Sequence, residues 1–204
     1  MNVIGLCGVA TCGKDFFFAN LKSATKRKVF RFAIADALKE EMYDFIKNTY
    51  NIDVFNCSPE EKTTIRPILV NHAEIRRKET NGRYWINKLT EKVKKVSEDK
   101  NNLAVITDIR FDEYEKDEVF WLKNELNGFL VHISKYFLND KNEMQFVPPA
   151  NLQESKNNPK LINNADYIVE WQNGLTSEKA REYCSDALVT MRLTQLKNSL
   201  TSEK

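Results

Sequence analysis

Two glycines and a lysine, spaced Gly8-Val9-Ala10-Thr11-Cys12-Gly13-Lys14, carry the most specific chemistry in the sequence. Glycines at these places let a backbone curl so that successive N–H groups face an anion. The lysine adds a point charge for outer phosphate oxygens. Apolar Val3-Ile4-Gly5-Leu6-Cys7 precedes the loop and Phe16-Phe17-Phe18-Ala19-Asn20-Leu21 follows it. That order predicts strand, loop and helix, with the helix dipole directed at the same spot. A surface turn carrying two glycines is the bland alternative. Asp15 stands where Ser or Thr commonly offers magnesium a hydroxyl. A carboxylate is also a hard oxygen ligand, and it suits the first turn of a helix. Its plainer role is to cap that helix or to neutralise Lys14. Cys12, beside Lys14 and a helix N-terminus, is expected to be a reactive thiol of lowered pKa.

More polar residues follow apolar runs. Leu103-Ala104-Val105-Ile106-Thr107 reads as a buried parallel strand and ends in Asp108, with Arg110 two places on. Asp108 has the place of an acid that holds magnesium or its water shell, and Arg110 can grip a phosphate with both arms. An Asp–Arg pair closing a strand end is the alternative. A strand over Val29–Ala33 leads to Asp36 and Lys39, and one over Phe129–Ile133 leads to Lys135. In a parallel sheet these ends share one rim with the loop. Arg76, Arg77 and Arg83 cluster near Trp85; one of them is expected to meet a phosphate, though a solvated helix face accounts for any one alone. His72 and His132 lie in apolar patterns and read as packed.

The elements that must position these groups alternate strand and helix, which predicts a three-layer α/β/α fold around a parallel sheet. Ser58-Pro59-Glu60-Glu61 starts a helix, and Pro67 is expected to break or restart it. Helices are expected on both sides of Asn81-Gly82 and over Phe111–Asn127. The polar stretch 134–164 reads as a mobile flap, Asp166–Glu170 as the last strand, and a helix from about Ser177 as the end, fraying after Lys197. One domain over 1–204 is expected, with a helical acceptor region at about 36–98.

Lys plus Arg is 31 against 29 Asp plus Glu, a net charge of +2, which is no footprint for a nucleic-acid polymer or an anionic membrane. Hydrophobic residues make up 42% of the chain, in the globular range, and no run is long enough to span a bilayer. Four cysteines without metal spacing and the absence of a signal-peptide layout lead to the expectation of a cytoplasmic protein with reduced thiols.

The loop Gly8–Asp15, Phe32-Ala33 through Asp36-Ala37-Leu38-Lys39-Glu40, Thr107-Asp108-Ile109-Arg110-Phe111 with Glu113, Asn164-Ala165-Asp166-Tyr167 and Asn173-Gly174 together resemble the deoxynucleoside monophosphate kinases of bacteriophages. Animal-type phosphomevalonate kinases are a close second. Both belong to the nucleoside-monophosphate-kinase group of phosphate-loop proteins, and both carry Asp after the loop lysine. The resemblance implies phosphoryl transfer from ATP to a (deoxy)nucleoside monophosphate with Mg2+, and is compatible with a homodimer. It implies ATP on Gly8, Ala10, Thr11, Cys12, Gly13, Lys14, Asp15 and Phe16, with Asn173 and Gly174 beside the adenine. Asp36, Lys39, Arg76, Arg83 and Arg110 would serve the acceptor, Asp15 and Asp108 the metal, and Lys14, Arg110 and Asp108 the transfer itself. One departure stands out: such kinases often use flap arginines, and no Arg occurs between Arg110 and Arg181. Lys135, Lys141, Lys156 or Lys160 would have to serve, or Arg110 alone. A nucleotide base would want an aromatic slot, for which Tyr43, Phe45, Tyr50, Phe55, Tyr84 and Trp85, with Asn48 and Asn71 nearby, are candidates; core packing is the alternative for these aromatics. A chain that binds nucleotide without turnover is the rival from another class.

Overall fold

The computed structural model describes the backbone of residues 2–202 and the side chains of residues 2–193. Strand β1 (Val3–Cys7) lies inside the sheet because both of its faces are apolar. Ile4 and Leu6 pack with Phe17 and Leu21 of α1 (Lys14–Ala24), while Val3 and Cys7 join a second core with Ile86 and Leu89. Strands β2 (Lys28–Phe32), β3 (Asn102–Ile106), β1 and β4 (Phe129–Leu138) lie side by side in that order, all parallel. β6 (Tyr167–Gln172) adds to β4 in parallel register, and the short β5 (Met144–Phe146) pairs antiparallel with its far end. Helices α1 and α7 (Ser177–Ser202) cover one face through Phe17, Cys184 and Met191. Helix α4 (Arg83–Ser97) covers the other with α5 (Glu118–Phe120), which winds on as a π-turn over Trp121–Glu125. The architecture is thus the expected three-layer α/β/α, and every β-to-α connection after a parallel strand opens on one edge. The expected fraying after Lys197 falls outside the described side chains.

The helical region is α2 (Ile34–Tyr50), α3 (Pro59–Glu79) and α4, with α2 and α3 sharing a small core of Ile46, Ile52, Val54 and Ile65. Pro67 does not break α3. Ser58 and Glu61 close a reciprocal capping box at its start, and Ile65 and Leu69 anchor the helix on either side of the proline. Packing outweighs one missing backbone hydrogen bond.

The helix expected over Phe111–Asn127 is confined to its second half. Residues 108–113 carry no regular structure, because side chains from elsewhere take their N–H groups: Glu118 accepts from Arg110 and Phe111, Asn157 from Asp112, and Asp117 from Glu113. The segment 134–164 is likewise built: it comprises the end of β4, β5 and helix α6 (Leu152–Asn164), which Asn151 caps by accepting from Glu154 N.

Candidate active site

The loop after β1 has the backbone that its glycines permit. Gly8, Thr11 and Gly13 have φ of 128°, 61° and 105°, the left-handed region that side chains disfavour. At Gly13 an added Cβ would stand 2.6 Å from the Trp171 ring; at Gly8 it would meet Ile133 O and, at 2.9 Å, Cys12 Sγ. Trp171 is the floor of the loop: its Nε1 donates to Cys12 O at 2.9 Å, and its ring meets Phe16 edge-on. Gly13 begins α1 without a side chain to cap it, so no side chain claims the N–H groups of the first turn. Such an uncapped start fits phosphate. Lys14 Nζ donates to Gly8 O and Val9 O, both at 2.8 Å, and rests 3.6 Å from Cys12 Sγ. Asp15 is exposed in the same turn, open to a hydrated cation.

Cys12 corrects an expectation. It is fully buried, and burial raises its thiol pKa against the pull of Lys14. Among the cysteines only Cys57 is partly exposed.

Asp108 joins two elements. Its two carboxylate oxygens accept from Ile34 N (2.7 Å) and Ala35 N (2.8 Å), fastening the start of α2 to the end of β3. Burial raises its pKa, opposed by these donors and by the charge of Arg110. These bonds make it a buried carboxylate that closes the strand end. Among the described residues no group of three or more His, Cys, Asp or Glu is placed to hold a metal. Asp15 is the exposed carboxylate beside the loop that would hold a cation, directly or through water.

Arg110 is exposed and borders a crevice with Gly8, Val9 and Glu154. The other arginines divide. Arg77 is buried, forks onto Asp117 at 3.0 and 2.9 Å and lies 3.8 Å from the Phe111 ring centroid. Arg83 forks onto Glu125 at 2.7 and 2.9 Å, bracing α4 against the π-turn. Arg76 stays at the surface of α3, over the Tyr84 ring, and its Nε lies 3.8 Å from Glu41 Oε1 without a hydrogen bond. Asp36 is paired with Arg31 at 2.6 Å, and Lys39 lies over Phe55, which stacks obliquely near Tyr43. Asn173 donates to Tyr136 O at 2.8 Å, and Gly174 (φ 84°) turns the chain into open space beyond β6.

Three groups escaped the sequence reading. Glu154 of α6 accepts from Ala10 N at 3.1 Å. Asn158 pairs with buried His132 at 2.9 Å; burial lowers the pKa of that imidazole, as expected for a packed histidine. Trp171 is the third. Only the strand before it and its position two residues ahead of Asn173 mark it in the sequence. Beyond the loop, Val9, His132, Ser134, Lys135, Asn158 and Glu170 border a cavity of about 210 Å³. Lys135 thus shares this cavity with Val9 of the loop, whereas Lys160 is tied to Asp112 O at 2.9 Å and Lys141 and Lys156 face solvent.

No protein-family model matches the chain, and no curated protein matches it. Among solved structures it is similar to a dephospho-CoA kinase from Campylobacter jejuni, with a TM-score of 0.49, 14% identity, and 93% of this chain and 97% of that one covered. No helix among the described residues is long and apolar enough to cross a membrane.

Proposed function

We propose that the chain transfers the γ-phosphoryl of ATP to a (deoxy)nucleoside monophosphate in the cytoplasm, with magnesium. The observation that carries this reading is the uncapped N-terminus of α1 beneath a glycine loop, with Lys14 and exposed Arg110 on the same rim. ATP supplies the phosphoryl group and magnesium offsets its charge. The loop N–H groups and Lys14 bind and orient the donor phosphates, and Arg110 and Lys135 bring positive charge to the oxygens between donor and acceptor. Asp15 would hold the magnesium ion, directly or through water. Little covalent chemistry falls to the protein; position and charge do most of it.

The acceptor reading draws on α2 and α3. Phe55 is half-exposed with Lys39 at 5.5 Å and Tyr43 at 6.2 Å, a surface that suits a flat base. Phosphomevalonate has no ring and needs a further cation for its carboxylate. Arg77 and Arg83 are taken by carboxylates and Lys78 lies 4.0 Å from Glu74, which favours the nucleotide. A coupled assay of ADP formation over a panel of ribo- and deoxynucleoside monophosphates plus phosphomevalonate tests the proposal. A deoxynucleoside monophosphate is expected to stimulate ATP consumption, and Lys14→Ala to abolish it in a folded protein. Stimulation by phosphomevalonate alone would replace the acceptor, and stimulation by none would leave a nucleotide-binding protein.

A further inference from the structure

Arg110 owes its place to residues outside the phosphate loop. From Arg110 to Tyr114 the chain belongs to no helix or strand, yet its consecutive N–H groups are all received by side chains. Glu118 Oε2 accepts from Arg110 at 2.6 Å and Phe111 at 3.0 Å, Asn157 Oδ1 from Asp112 at 3.1 Å, and Asp117 Oδ2 from Glu113 at 3.0 Å and Tyr114 at 3.4 Å. With no ladder to fix this segment, these acceptors set where the Arg110 side chain leaves the backbone. Asp117, Glu118 and Asn157 are buried. Adjacent buried carboxylates need a counter-charge, and Arg77 supplies it from α3. Its guanidinium forks onto Asp117, reaches Glu118 Oε1 at 3.4 Å and covers the ring of Phe111, the residue next to Arg110.

We propose that Glu118 and Asp117, held by Arg77, are positioning residues that aim Arg110 at the phosphate loop. The inference rests on the kinase reading above for what Arg110 meets there. It adds that helix α3 of the acceptor region, α6 of the flap and the phosphate rim are joined through one buried ionic cluster.

A double-mutant cycle tests it with Arg110→Ala, Glu118→Gln and the pair, each read by ADP formation with the best monophosphate, by ATP affinity and by melting temperature. Glu118→Gln is expected to lower turnover about 10–100-fold in the wild-type background and less than about 3-fold in the Arg110→Ala background, because it acts through a side chain already gone. The fall in melting temperature is expected to be equal in both backgrounds, which a merely structural role would match with equal losses of turnover. Equal fold-losses of turnover in the two backgrounds overturn the proposal. Should Glu118→Gln fail to fold, Asp117→Asn carries the same cycle. If no acceptor supports turnover, the kinase reading fails and the cycle is read in ATP affinity: a loss confined to the Arg110 background supports positioning, and equal losses overturn it.

Discussion

Glu154 Oε2 accepts the N–H of Ala10 at 3.1 Å and that of Ala150 at 2.9 Å, so a carboxylate of α6 joins the flap to the phosphate loop. An anionic oxygen thus already sits on a loop amide that a phosphate would claim. Glu154→Gln weakens this competitor and removes a like charge from the path of the nucleotide. ATP affinity is expected to rise about 3–10-fold, read by titration calorimetry. A lower affinity would mean that Glu154 works with the nucleotide rather than against it.

Thiol reactivity is expected at Cys57 rather than in the phosphate loop. Cys7, Cys12 and Cys184 are fully buried, and burial raises the thiol pKa of each, that of Cys184 to about 12. Alkylation of the native protein near pH 8, mapped by mass spectrometry, is expected to mark Cys57 first, at a rate that ATP leaves unchanged. Early, ATP-sensitive labelling of Cys12 would show that the loop opens more than this structure does.

The two neighbouring arginines of α3 are expected to separate sharply. Arg77→Ala leaves Asp117 and Glu118 buried without their counter-charge, a loss of about 3–5 kcal/mol. Arg76→Ala removes a surface guanidinium whose ion pairs are screened by solvent, and is expected to leave stability nearly unchanged. Urea unfolding of both variants measures the difference. Similar values for the two would remove Arg77 from the centre of the cluster.

Glu41 links α2 to α3 and α4 by accepting from His72 Nε2, Tyr84 Oη and Lys88 Nζ, each at 2.7 Å. Burial by itself would raise its pKa; the hydrogen bonds outweigh that and bring it down to about 2. A carboxyl depressed in the folded state adds stability above its unfolded value near 4.5, and that stability is lost as pH falls toward 2. Acid titration of thermal stability is expected to show a loss over this window that Glu41→Gln lacks. An identical acid profile for the two proteins would count against the linkage.

What the sequence determined by itself is local. The glycine loop, its strand and its helix were legible because φ freedom, a cationic end and apolar flanks are properties of adjacent residues. The Ser58 cap was legible for the same reason, as were the core strands, whose two-sided burial requires continuous apolar runs. The order of strands and helices followed, and with it the edge where Lys14, Arg110 and Lys135 gather.

Tertiary structure alone decided which charged groups are free. Asp108 ends an apolar strand in the sequence, and only the fold shows the N-terminus of α2 donating to both of its oxygens from 73 and 74 residues away. Arg83 and Arg77 read like Arg76 until Glu125, Asp117 and Glu118 are placed against them. Cys12 has the neighbours of an activated thiol, but the sheet, Trp171 and the loop close over it, and desolvation outweighs the lysine. The missing first half of the helix expected from Phe111 has the same origin: carboxylates of Asp117 and Glu118 offer the N–H groups of Phe111, Glu113 and Tyr114 better partners than the next turn would. Charges and hydrogen bonds between residues far apart in the chain carry no periodic signal, and partners such as Glu154 and Ala10 become visible only when the folded chain brings them together.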